Sequence, residues 1–64
     1  MEKEEIGRKI KELRTTNNLT QEELSCRLGI SKQALKKWES GRSCPNGDNL
    51  IRICELFNIS VDEF

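Results

Sequence analysis

The sequence has no histidine, a single proline and only three cysteines. Without histidine, the most common general base and a frequent zinc ligand are both missing. Cys26, Cys44 and Cys54 form no Cys-x-x-Cys pair, and their spacings of 18 and 10 residues do not suit a metal site. An odd number cannot form a fully paired disulfide framework, so free thiols in a reducing compartment are expected. No apolar run exceeds a few positions, and the opening MEKEEIGRKI lacks the apolar stretch of a secretion signal. A soluble, cytoplasmic protein follows as the expectation. No glycine-rich phosphate loop is present, and 64 residues leave little room for a preformed pocket, which argues against an enzyme. No cofactor, metal or small-molecule ligand is expected.

Net charge is absent too, with 11 basic and 11 acidic residues, although basic domains are the usual electrostatic mark of nucleic-acid binding. The charges are unevenly distributed. Between Arg27 and Arg42 lie Lys32, Lys36 and Lys37, opposed by Glu39 alone, whereas beyond Cys44 Asp48, Glu55, Asp62 and Glu63 outnumber Arg52. The apolar share is a low 34%, but its regular spacing is unlike that of a disordered tail. A chain this short supports one core, so residues 1 to 64 are read as a single domain.

Ile6, Ile10 and Leu13 make a helical stripe, which predicts a first helix over about residues 3 to 16. Asn17-Asn18 follows, a suitable pair for the left-handed position that ends a helix. Thr20-x-x-Glu23 is a capping box, so a second helix starts near Gln21, carries Leu24 and Leu28 on one face and stops at Gly29. Ser31 can cap a third helix bearing Ala34, Leu35 and Trp38, closed by Gly41. Pro45 pushes Cys44 toward extended conformations, giving a loop from about Ser40 to Pro45. A fourth helix carries Leu50, Ile53, Cys54 and Phe57, with Asp48 near its N-terminus. Ser60-x-x-Glu63 repeats the capping box and predicts a fifth helix starting where the chain stops, as in an N-terminal part of a longer protein.

Two short helices joined by a tight glycine-containing turn can set the second into the major groove of DNA, but many helical hairpins share that spacing. The third helix is more specific. At 100° per residue, Ala34, Leu35 and Trp38 share one side, and Lys32, Gln33, Lys36 and Lys37 cover the other. Lysine can donate to guanine O6 and N7, and a glutamine amide matches adenine N6 and N7. A merely solvated face usually mixes charge signs to gain pairs one turn apart, and this one carries no acid. Gln21 begins the second helix, where free amides can meet a phosphate, and Ser40 and Arg42 lie just past the third.

IGRKIKELR, LTQEELSCRLGIS, Trp38-Glu39-Ser40-Gly41-Arg42 and Pro45 together resemble the Xre/Cro/CI helix-turn-helix repressors over essentially the whole chain. The resemblance implies an all-α, five-helix, lambda-repressor-like bundle whose third helix reads DNA. It implies base contacts from Lys32, Gln33 and Lys37, base or phosphate contact from Lys36, and phosphate contacts from Gln21, Ser31, Ser40 and Arg42. It further implies a structural ion pair between Arg14 and Glu39. Ser25 stands where the family usually has alanine and needs a backbone partner. Asn18 replaces a common glycine, Cys54 fills a small core position, and Cys26 and Cys44 are expected to be exposed.

The expected function is sequence-specific binding of double-stranded DNA by a transcriptional regulator, as a homodimer on a palindromic operator. Ile59, Val61 and Phe64 either complete the core or supply the dimer contact. The alternative is a protein-interaction module, such as an antitoxin or antirepressor, that uses the same exposed helix.

Overall fold

The computed structural model describes residues 2–64. Its elements are α1 (Lys3–Thr16), α2 (Gln21–Leu28), α3 (Lys32–Glu39) and α4 (Gly47–Leu56), followed by a single 3₁₀ turn at Val61–Glu63. No strand occurs among the described residues. The expected five-helix bundle is thus corrected to four helices. The Ser60 capping box does form, with the Glu63 amide donating to the Ser60 hydroxyl. It specifies only a start, and the Glu63 and Phe64 amides donate to carbonyls three residues back, closing a 3₁₀ turn instead of an α-helix.

Local chemistry accounts for the boundaries. Thr20 accepts from the Glu23 amide at 3.0 Å while the Thr20 amide donates to the Glu23 carboxylate at 2.8 Å. The hydrogen bond from the Thr20 amide, with a further contribution from the Thr20 side chain, holds the Glu23 carboxyl below its usual pKa. Ser31 accepts from Ala34 at 3.1 Å to start α3. Asn46 extends the loop by one residue and caps α4 through the Asn49 amide at 2.9 Å. Four left-handed residues end the four helices: Asn18 (φ 59°), Gly29 (φ 70°), Gly41 (φ 81°) and Asn58 (φ 57°).

One cluster joins these elements: Ile10 of α1, Leu24 and Leu28 of α2, Leu35 and Trp38 of α3, Ile53 and Cys54 of α4, and Phe64. Ile59 packs against it, whereas Val61 is half exposed, so Phe64 and Ile59 belong with the core. Burial raises the Cys54 thiol pKa. Cys26 and Cys44 are exposed, and Ser25 donates to the Glu22 carbonyl at 2.9 Å.

Gly7 brings α1 against the end of α3. A Cβ at this position would lie 2.1 Å from the Trp38 carbonyl oxygen and 3.1 Å from that of Glu39. Glycine normally weakens a helix interior relative to alanine, by about 1 kcal/mol. Here it is required, because the obstructing atoms belong to backbone.

Candidate nucleic-acid interface

The three residues Gly29, Ile30 and Ser31 separate α2 from α3. Gly29 takes the left-handed conformation, and the Ile30 amide donates to the Ser25 carbonyl at 3.0 Å. Ile30 packs half-buried against the core, and the Ser31 cap redirects the chain into α3. The turn is therefore set by a backbone conformation, an apolar anchor and a hydroxyl cap.

With Leu35 and Trp38 of α3 buried, Lys32, Gln33, Lys36 and Lys37 remain exposed. The first turn of α3 carries no acid, and Lys36 and Lys37 lie in its last turn. Cations there also suit the negative end of the helix dipole. The outer face consequently offers flexible donors and one amide, with no carboxylate to neutralise them. Ser31 and Ser40 are exposed at the two ends of α3, and Arg42 is exposed just beyond, its amide donating to the Lys37 carbonyl at 3.0 Å.

A polar clasp fixes the end of this helix. Arg14 donates through Nε to Glu39 Oε2 at 2.7 Å and through Nη2 to Oε1 at 3.1 Å, while Nη1 reaches the Leu19 carbonyl at 2.9 Å. The two side chains are only 12% and 5% exposed, so this bidentate pair is largely desolvated. Gln21 Nε2 donates to the same Glu39 Oε1 at 3.0 Å. One carboxylate thus ties α1, the start of α2 and the end of α3 together. Arg14 is committed to this framework, and Gln21 is oriented by it, with its second N–H and its carbonyl still available.

Gln21, Lys36 and Ser40 gather with Lys11, Arg14 and Glu39 around a shallow open depression of about 470 Å³. Lys32, Gln33 and Lys37 lie outside it, on the adjoining face of α3. Lys11 carries no motif in the sequence, although its position three residues before Arg14 puts both on one flank of α1. Gly7 and the Asn46 cap are likewise absent from the sequence expectations. Among the described residues no cluster of three His, Cys, Asp or Glu could hold a metal ion, and no helix is long and apolar enough to cross a membrane.

The family profile described as Helix-turn-helix matches residues 10–64. The HTH-type transcriptional activator BcrR of Enterococcus faecalis is 44% identical over 59 residues, covering 92% of this chain and 29% of that protein. Antitoxin PezA of Streptococcus pneumoniae is 42% identical over 55 residues, covering 86% of this chain and 35% of that protein. The chain therefore spans about a third of the length of these relatives. The restriction-modification controller protein C.AhdI of Aeromonas hydrophila superposes with a TM-score of 0.85 at 24% identity, over 95% of this chain and 92% of that one. That likeness bears on the fold.

Proposed function

The chain belongs to the helix-turn-helix family, of the Xre/Cro/CI type, and from that membership we propose that it is a DNA-binding domain of a transcriptional regulator. α3 enters the major groove with Lys32, Gln33 and Lys37 at base edges. Gln21, Ser31, Ser40 and Arg42 meet the sugar-phosphate backbone. The observation that carries this reading is the outer face of α3, which holds four exposed cationic or amide side chains and no acid. A catalytic role has no comparable support, and the bacterial origin of BcrR and PezA supports a cytoplasmic site of action.

The protein-interaction alternative, prompted again by the similarity to an antitoxin, is less well supported. The exposed large apolar residues Ile51, Leu56 and Val61 lie on α4 and the C-terminal turn, away from the outer face of α3. A protein partner gripping α3 would lack apolar anchors there.

Two copies on a palindrome complete the proposal. Half-sites one helical turn apart are about 34 Å from centre to centre. With a longest extent of 26 Å, two domains fit side by side on one face of DNA at that spacing, each on its own half-site. The test is selection of bound sequences from a random duplex pool, then titration of the winner at about 50 and 200 mM salt. Enrichment of a palindrome whose affinity falls steeply with salt is the expected result. Absence of any enriched sequence, with binding insensitive to salt, would refute it.

A further inference from the structure

The depression between α1 and the end of α3 has an excess of positive charge. Lys11, Arg14 and Lys36 line it with Glu39 as the one acid, and Glu39 is already used by Arg14 and Gln21. Lys11 and Lys36 are exposed, and neither forms an ion pair among the described residues. Their ammonium groups therefore lack a local anion. The wall between them holds the Gln21 amide, turned by Glu39 so that its second N–H is available.

We propose that this depression seats one phosphate of the DNA backbone, with Lys11 and Lys36 as its cations and the Gln21 amide as a third donor. The proposal rests on the DNA-binding reading above and extends the contact surface onto α1. It also resolves the role of Lys36. On the helical wheel Lys36 lies on the flank of α3 toward Glu39 and α1, so it turns to the strand at the groove's edge. Lys32, Gln33 and Lys37, which do not line the depression, stay with the bases. A phosphodiester is the fitting occupant because the depression is open and continuous with the face that enters the groove, whose rim is sugar and phosphate.

Lys11 then contributes affinity without sequence preference. Each phosphate neutralised adds about 0.9 to the slope of log affinity against log salt. The experiment compares the unmodified chain with Lys11→Gln and Lys11→Arg, titrating a fluorescent duplex of selected sequence and one of unrelated sequence at about 50 and 200 mM salt. Lys11→Gln is expected to lower the slope on both duplexes by part of that roughly 0.9, because Lys36 still faces the same phosphate, so that its disadvantage shrinks by up to about 3.5-fold over that salt range. Lys11→Arg should keep the slope, and the thermal midpoint should not move in either variant. An unchanged slope in Lys11→Gln, with Gln33→Ala still altering sequence preference, overturns the phosphate seat and leaves the DNA reading standing. A change in the preferred sequence on Lys11→Gln also overturns it, since Lys11 would then be reading bases. Failure of the unmodified chain to bind any duplex brings down both.

Discussion

Helices α2 and α3 are built alike and exposed differently. Each has eight residues, begins at a hydroxyl cap, ends near a left-handed glycine and buries a pair of large apolar side chains. Their first turns diverge, because α2 carries Glu22 and Glu23 whereas α3 carries no acid. Acids at an N-terminus stabilise a helix through its dipole. α3 forgoes that gain and leaves its outer side chains without neutralising partners. In this molecule caps and apolar positions make the helix, and the remaining positions decide what it can touch.

The largest test of this division is in the shared core. Leu24 and Leu35 are both fully buried, so Leu24→Ala and Leu35→Ala should each destabilise by about 2–5 kcal/mol in chemical denaturation. A cost confined to one helix would break the equivalence. On the outer faces the expectation reverses. Gln33→Ala and Lys37→Ala should cost about 1–3 kcal/mol in operator binding and relax sequence preference. Their folding free energy should stay within about 0.5 kcal/mol of the unmodified chain. If melting and binding fell together, the separation of framework from reading surface would be wrong.

The caps come next. Thr20→Ala and Ser31→Ala should each cost about 1 kcal/mol, with Thr20 the costlier, because Glu23 reciprocates its hydrogen bond and Ala34 has no side-chain acceptor to offer Ser31. Equal losses would mean that the second half of the box adds nothing. The smallest effect is electrostatic. Glu23 has a folded pKa below the 4.5 of the free carboxyl, so its ionised form favours the folded state. Its contribution is complete above about pH 4.5 and fades as the pH falls through the lowered folded value. An acid titration of Glu23→Gln should therefore show a slightly shallower loss of stability, and one identical to the unmodified chain would remove Glu23 from the account.

Much of the framework was legible because its signals are local. The Thr20–Glu23 box, the Ser31 cap and the glycines at 29 and 41 each act within a few residues of chain. The same kind of signal is present at Asn46, which caps α4, and at Asn58, which ends it. The fifth helix was misjudged because a cap states where a helix begins and says nothing of its length. Gly7 was illegible for a different reason: its obstruction comes from the backbone of residues 38 and 39, which only tertiary packing brings near. The outer face of α3 followed from helical geometry alone, but the depression beneath it required knowing how α1 crosses α3. The expectation for Gln21 is a phosphate contact at the start of α2, and its bond to Glu39, which depends on that same crossing, is not visible in the sequence.

The close approach at Gly7 also acts on the aim of α3. An eight-residue helix is about 12 Å long, a short lever hinged at its Ser31 cap. An added Cβ would sit 2.1 Å from the Trp38 carbonyl oxygen, and restoring an ordinary contact at that far end requires a displacement of about 1 Å, which swings such a lever by about 5°. That exceeds the roughly 0.5 Å within which a binding constellation must be held. Gly7 is thus an alignment stop, and a methyl group there would misdirect the outer side chains of α3 from the base edges they are proposed to read, even if every helix still formed.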